Sequence, residues 1–466
     1  MGPNVGELVM TQTDSRESKQ RGRELRQQLP RSLHADWRPA ADRLDPVQVI
    51  TAQDAPRIQQ LVPVRHARMS ESAFTFYRGS AAIMAGDLAS QPSSGESVQL
   101  CGDAHLSNFG IFASAERSQV FDVNDFDETL PGPWEWDVKR LAASFVVAAE
   151  NSGLGTSVGR QTAETATRAY VESMSRFSGM TILDLWYEQL KLQQLQHLAP
   201  SKSERKKMKK RAAKARRNNS DRALHKLTEQ LDGKLQIRSD PPLLVPSREL
   251  AHYGVDGDEL REMAEGNLTQ YVDTLPANIR SVLSHFRIVD IALKVVGVGS
   301  VGTRCLIVLL TGRRRGEPLF LQIKEAGESV LQPYLSAGRY RHAGRRVVEG
   351  RRMIQASGDI FLGWSGSANA GPQFYWRQFR DMKGSADVAV MDVQQLLRYA
   401  KVCGWTLAHG HARSGDPDAI SGYLGKGRKF SQAMGEFGVR YARQNDADYQ
   451  AFLAAIESGR IESQEL

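Results

Sequence analysis

The apolar positions change period twice along the chain. Residues 1–60 are polar, with scattered Arg and Gln and few large apolar groups, which predicts a flexible N-terminal arm with one helix around Glu24 to Gln28. From Leu61 the spacing becomes helical. Phe74, Tyr77, Ala81, Met84 and Leu88 fall near the three-four repeat of a buried face, with Ser70 or Ser72 as the cap. A short apolar strand follows at Val120, Phe121 and Val123, then a Pro-Gly-Pro turn and a helix with Val138, Leu141, Phe145 and Val146 on one face. Residues 156–232 read as helical throughout, interrupted by a basic segment, and the run from Leu190 to Leu198 reads as packing surface. Near His285 the period shortens: strands are predicted at Val295 and Val296, at Cys305 to Leu310 and at Leu319 to Lys324. A helix carrying Glu349, an aromatic strand in FYWRQFRDMKG and a set of closing helices complete an α+β pattern.

The chemistry concentrates between Gln99 and Thr129. Asp103 and Asn108 form an Asp-x4-Asn loop, and the strand after it delivers Asp122, Asp125 and Asp127. Like charges this close repel, and partial burial raises the cost of ionising all of them. A divalent cation removes that cost, and an acid, an amide oxygen and a second acid are the hard donors that Mg²⁺ takes when it also holds phosphates. The alternative is a pair of Asx-rich turns. Asp137 at the start of the next helix either caps it or reaches back to hydrogen-bond the backbone of the Asp103 loop. Arg65, Arg68 and Arg78 are candidate phosphate ligands, with snorkelling or local ion pairs as the alternative.

A second concentration is the Gly-x-Gly-x-x-Gly of Gly297, Gly299 and Gly302. In a dinucleotide fold this loop opens a helix, but the β-branched run that follows predicts a strand, and a glycine hairpin of that kind lays its backbone over nucleotide phosphates. On the next strand Phe320, Gln322 and Lys324 share one face, which lets Lys324 point beneath the loop. Its alternative is an edge lysine that blocks strand addition. Glu349 is a candidate partner for Lys324, or else a member of surface pairs with Arg345, Arg346 and Arg352. His409, His411, Arg413 and Asp416 cluster at a helix end, but histidines at i and i+2 do not share a helix face, which argues against a metal site.

Composition narrows the class. At 466 residues the chain fits two to three domains or lobes, and no apolar run approaches the roughly 18 residues of a membrane span. The first residues hold no apolar core of a signal peptide, so the expectation is a cytoplasmic protein. Cys101, Cys305 and Cys403 are too scattered for a zinc site or a disulfide framework. The formal charge of +8 is local: Lys202 to Arg217 holds ten Lys or Arg and one Glu, a net of +9, which leaves −1 for the rest. That segment lacks aromatics for base stacking, so nucleic acid is a disfavoured partner, and Ser201 to Ser220 is expected to be a solvated helix or mobile insertion.

Together RMSESAFTFYRGSA, CGDAHLSNFG, DVNDFDETLPGPWEWDVKRLAAS, VVGVGSVGTR, LQIKEA, VVEGRRMIQ and HARSGD resemble the bacterial family labelled domain of unknown function twenty-two fifty-two, over residues from about 65 to 460. The parts also resemble the protein-kinase-like superfamily, especially its aminoglycoside and choline kinases. That resemblance implies ATP and Mg²⁺ as cofactors, Asp103 as the catalytic base and Asn108 as a metal ligand, with Asp125 of Asp125-Phe126-Asp127 as the second. Asp127 is a possible third metal ligand and Asp137 a support for the loop. Gly297, Gly299, Ser300 and Gly302 would cover the phosphates, with Lys324 and its partner Glu349 beneath. Two residues depart from the pattern, Cys101 where a His usually stands and Asp127 where a Gly does. The order departs too, since the glycine loop follows the Asp loop, and a circular permutation reconciles them.

The implied fold is two-lobed and permuted. It has a flexible arm over 1–60, the catalytic-loop part of a mainly helical large lobe over 61–285 with a basic insertion at 201–220, a small antiparallel-sheet nucleotide lobe over 286–383, and the helical remainder over 384–466. The expected function is phosphoryl transfer to a small-molecule or protein hydroxyl. A nucleotide-binding module without transfer, or a metal-dependent hydrolase using Asp103, His105, Asp122 and Asp125, are the alternatives. If one site exists, Lys324 should lie within roughly 10 Å of Asp125.

Overall fold

A computed structural model gives the fold, and it describes residues 14–464 apart from 198–200, 218–219, 232, 254–255, 296, 314–315, 337, 368–369 and 380–381. Helix α1 (Ser15–Gln28) starts at Asp14, whose carboxylate accepts from the Arg16 amide at 2.9 Å, and α2 (Pro46–Asp54) is capped by Asp45. The expected flexible arm is thus corrected from residue 14 onward; residues 1–13 lie outside the described residues. Trp37, Val47 and Ile50 are buried in the core, and close and charged contacts add to their hold. Gly22 brings α1 so close to the C-terminal part that a Cβ would stand 2.0 Å from the Ala419 carbonyl oxygen. Arg21 pairs with Glu96 and Asp416, and Arg43 is held between Asp87 and Asp448 at 2.6 Å each.

After α3 (Val62–Ser70), the helix expected across residues 70–88 is two: α4 (Ala73–Gly79), opened by a Ser72–Thr75 capping box, and α5 (Ala81–Ala89). Gly79 and Ser80 are poor helix interiors, and the Ser80 hydroxyl donates to the Tyr77 carbonyl at 3.1 Å, which ends the turn. Strand β1 (Ser97–Leu100) leads to the hairpin of β2 (Phe109–Ala113) and β3 (Gln119–Val123), and β4 (Leu130–Pro133) pairs back onto β1. Then comes α6 (Trp134–Asn151), buried at every residue from Trp134 to Ala149. It is the axis of the helical body, which α7 (Thr156–Phe177) and the C-terminal helices surround.

Short helices α8 (Ile182–Tyr187) and α9 (Leu192–His197) precede the basic helix α10 (Lys202–Arg216); Leu198 and residues 218–219 lie outside the described residues. The expectation of a wholly solvated insertion is corrected. Ala212 and Ala215 are buried, the Gln119 side chain donates to the Ala212 carbonyl at 3.1 Å, and Arg216 donates back to Gln119 at 3.0 Å. After α11 (Ser220–Leu227) the chain turns into a hairpin, β5 (Thr228–Leu231) and β6 (Lys234–Ile237), and β5 falls where helix had been expected. Gly233, at φ +72° between the two strands, is the turn signal that the helical pattern hid.

The main sheet is antiparallel. It contains β7 (Leu244–Pro246), β8 (Phe286–Lys294), β9 (Cys305–Gly312) and β10 (Pro318–Ala326), then β11 (Gly363–Ser367) and β12 (Ala370–Gln378), in the order β11-β12-β10-β9-β8-β7. Val296 lies outside the described residues. One face, with Leu306, Val308, Leu321 and Ile323, packs on the helix Gly257–Asp273, whose Tyr271 stacks on Trp376 at 4.4 Å. The other face, with Ile307, Leu309 and Phe320, meets Ala223 and Leu227 of α11. This alternation places Gln322 and Lys324 on the Phe320 face. Helix Ala343–Ile354 connects β10 to β11, and the helices Val393–Ser414, Pro417–Leu424 and Arg428–Glu457 return to the helical body. The fold is therefore mixed α+β with antiparallel sheets. Among the described residues no helix is long and apolar enough to cross a membrane, and all three cysteines are free and buried.

Asp122 serves the fold rather than the carboxylate cluster. Its oxygens accept from the Val123 amide at 2.8 Å and the Ala356 amide at 3.0 Å, which ties β3 to the end of helix Ala343–Ile354.

Two outcomes follow. Gly22→Ala improves helix propensity, so in a frayed arm it would be neutral or stabilising. Against the Ala419 carbonyl it should instead destabilise by about 1–3 kcal/mol in thermal or denaturant unfolding. For Asp122, burial pushes the carboxyl up to about 6, so its neutral form is favoured by folding. Relative to Asp122→Asn, wild-type stability should be greatest below pH ~4 and fall as pH rises through about 6. The difference is up to about 3 kcal/mol, read from melts across pH 4–8. A flat difference would contradict the burial of that charge.

Candidate functional site

Strand β1 ends in Cys101-Gly102-Asp103. Gly102 has φ +87°, and a Cβ there would lie 2.3 Å from the Glu128 carbonyl oxygen, so the turn admits only glycine. Asp137, in the first turn of α6, reaches back to accept from the amides of Cys101 at 2.8 Å and Gly102 at 3.1 Å. His411 stands 3.2 Å from the same carboxylate and 2.9 Å from the Tyr170 hydroxyl, so a buried chain of polar groups holds the loop from behind. His409 instead lies 3.1 Å from the Leu185 carbonyl, and Arg413 stacks on Trp186, so these four C-terminal polar residues serve separate partners.

Within the loop, Asp103 accepts from Arg140 Nε at 2.9 Å; Arg140 also donates to the Tyr77 carbonyl and lies 3.9 Å over the Tyr77 ring. His105 Nδ1 accepts from the Ser107 amide at 3.2 Å, which puts the ring proton on Nε2, 3.6 Å from Asp103. Burial and the charges of Arg78 and Arg140 outweigh Asp103 and push His105 down to about 4, so it is neutral at pH 7. The Asn108 side-chain nitrogen donates to the Asp103 carbonyl at 2.8 Å, leaving its oxygen as the end available to a cation.

Residues nearly two hundred positions apart then meet. Lys324 is 3% exposed; its ammonium lies 3.6 Å from Asp125 Oδ1 and donates to Asp127 Oδ2, while the Tyr375 hydroxyl donates to Asp127 Oδ1 at 2.5 Å. Burial would lower the lysine, but Asp125 and Asp127 hold it well above its ordinary range. Burial would likewise raise Asp125, and Lys324, then Arg377 and Lys383, outweigh it and hold that carboxyl well below the usual range. Each Asp127 oxygen accepts one of these hydrogen bonds, which suits Asp127 to orient the lysine. Glu349, expected in that role, pairs with Arg352 at 3.3 Å. From the same helix it is Arg346 that faces the site, donating to the carbonyls of Thr129 and Asp127.

The glycine segment closes the other side. A turn of 3-10 helix at Val298–Ser300 follows Gly297, and Val298 is buried among Val47, Ile50, Met69 and Phe76 of the helical body. Gly302, at φ +87°, accepts from the Ile58 amide at 2.8 Å, and Arg57 donates to the Val301 carbonyl. Gly297, Gly299 and Ser300 line a cleft of about 600 Å³ that also holds Asp103, Asn108, Asp125 and Lys324; Gly302 serves the turn beyond it. Eight Lys or Arg line this cleft against three Asp, so it favours an anion. Arg68 and Arg78 are among them, whereas Arg65 is spent on Asp54 at 2.6 Å.

Among the described residues no three of His, Cys, Asp and Glu come together as a ready-made metal group. Asn108 and Asp125 supply two oxygen donors, the number Mg²⁺ takes from protein when phosphates and water complete its shell. No curated protein and no solved structure matches the chain. Residues 57–455 match DUF2252, described as an uncharacterized protein conserved in bacteria, and the chain belongs to that family.

Proposed function

We propose that the protein is an ATP- and Mg²⁺-dependent phosphotransferase built as a circularly permuted, two-lobed kinase-like fold. The observation that carries this is the 3.6 Å approach of Lys324 to Asp125 in the cleft that also holds Asp103, Asn108 and the glycine turn. The sheet, with Lys324 and Gly297 to Ser300, is the nucleotide lobe, and the helical body with the Asp103 loop is the large lobe. Lys324, oriented by Asp127, pairs with the α and β phosphates, and the backbone of Gly297 to Ser300 covers them. Asn108 and Asp125 would hold Mg²⁺, which would neutralise phosphate charge when bound. Asp103, aligned by Arg140, accepts the acceptor hydroxyl's proton as its oxygen bonds to the γ-phosphorus. The bond from that phosphorus to the β–γ bridging oxygen breaks, its electron pair leaving with ADP.

A nucleotide-binding module without transfer is the second reading, favoured by one observation: Arg140 already occupies Asp103 Oδ1 at 2.9 Å. The hydrolase reading loses support, because Asp122 is committed to two backbone amides.

Purified protein incubated with Mg²⁺, a metabolite extract and ATP labelled at either the α or the γ position separates these. The proposal expects γ label on an acceptor and none from α. Asp125→Asn should lose Mg²⁺-dependent nucleotide affinity or turnover by on the order of a hundredfold while staying folded. Transfer of α label would replace kinase by nucleotidyl transfer, and binding without turnover would favour the module.

A further inference from the structure

Arg78 is a cation of the cleft whose Nε has no hydrogen-bond partner among the described residues. It sits in the last turn of α4, the helix stopped at Ser80, and its Nη2 lies 3.7 Å from where a Cβ on Gly297 would stand. Neighbouring arginines have assigned partners: Arg65 has Asp54, Arg43 has Asp87 and Asp448, Arg140 has Asp103, and in the cleft Arg351 and Arg377 donate to the side chains of Gln355 and Gln322. Arg78 makes no such ion pair among the described residues, and its Nε is buried with no hydrogen-bond partner. An unpaired guanidinium is expensive to hold in a protein and persists where a ligand supplies the missing acceptors.

The place of Arg78 says which ligand group that is. The carboxylates that act on it are Asp103 first, then Glu71 and Asp125, and it helps to keep His105 uncharged. Arg78 lines the same cleft as the proton-accepting Asp103 and lies beside the glycine turn at Gly297. The geometry points to Arg78 as the residue that binds the terminal phosphoryl group of a nucleoside triphosphate, supplying from α4 a planar, always-charged donor to the group in transfer. This rests on the phosphotransferase reading and extends it, because it gives Arg78, one of several candidate phosphate ligands, a specific partner, from a different element than the glycine turn and the Lys324 strand. A site so built prefers triphosphate to diphosphate.

The test needs no acceptor. Mg²⁺ with the β,γ-imido analogue of ATP, and Mg²⁺ with ADP, are titrated calorimetrically into the full-length wild type, Arg78→Met and Arg78→Lys. Arg78→Met should bind the analogue about ten- to hundredfold more weakly, as expected for a lost charged hydrogen bond, while ADP affinity changes less than about twofold. Arg78→Lys should recover part of the loss. The melting temperature of nucleotide-free Arg78→Met should equal or exceed that of wild type, since a half-buried charge whose Nε has no partner has been removed. Equal losses for both nucleotides, no loss for either, or a large fall in melting temperature would overturn the assignment of Arg78 alone. Failure of the wild type to bind either nucleotide would overturn the phosphotransferase reading, and this assignment with it.

Discussion

A lysine at 3% exposure cannot keep its charge unless carboxylates come to it, and the architecture can be derived from that constraint at Lys324. Its strand belongs to the antiparallel sheet, whereas Asp125 and Asp127 belong to the loop after β3 in the helical body, so the pair joins two separately packed cores. Breaking one partner of a buried pair costs roughly 3–5 kcal/mol. The cost is lower here because the Asp125 and Asp127 side chains are 38% and 31% exposed toward the cleft. That partial exposure is also what gives a ligand access: the lysine is fixed while the carboxylate nearest it can still meet an ion.

Around this pair, each flank of the cleft is set by backbone rather than by side-chain reach. Gly102 allows the Asp103 loop to press against Glu128, and Asp137 holds two of its amides from the axis helix α6. On the opposite flank Val298 is seated in the helical body, and Ile58 and Arg57 bond the carbonyls of Gly302 and Val301. The glycine turn is thus pinned at its apex and exit. The exposed backbone of Gly299, with nothing within 4 Å of a Cβ there, faces the anion-favouring space between.

What the amino-acid pattern made legible was local. The strand alternation at Phe320 to Lys324, the Asp-x4-Asn spacing and the reach of Asp137 each follow from a few neighbouring residues, and the geometry agrees with them. Partner choice was not legible, because it depends on where whole elements dock: Asp127 rather than Glu349 meets Lys324, Arg346 rather than Glu349 faces the loop, and Arg140 takes Asp103. The N-terminal segment misled for a related reason. A glycine contact and charges such as Arg43 between Asp87 and Asp448 leave no apolar periodicity, and the buried Trp37, Val47 and Ile50 are too few to stand out in a polar stretch. Among the described side chains of α10 only Ala212 and Ala215 are buried, too small a stripe to stand out in so basic a run.

The central claim is that Lys324 and Asp127 act as one unit across the junction of sheet and helical body. A double-mutant cycle with Lys324→Met, Asp127→Asn and the combined variant measures it directly, read by denaturant unfolding and by affinity for Mg²⁺-ATP. The account predicts a coupling of about 0.5–3 kcal/mol in stability, with the double variant no worse than the poorer single one. It also predicts that each single change removes most nucleotide affinity. Additive stability effects, with nucleotide affinity unchanged in Asp127→Asn, would contradict it.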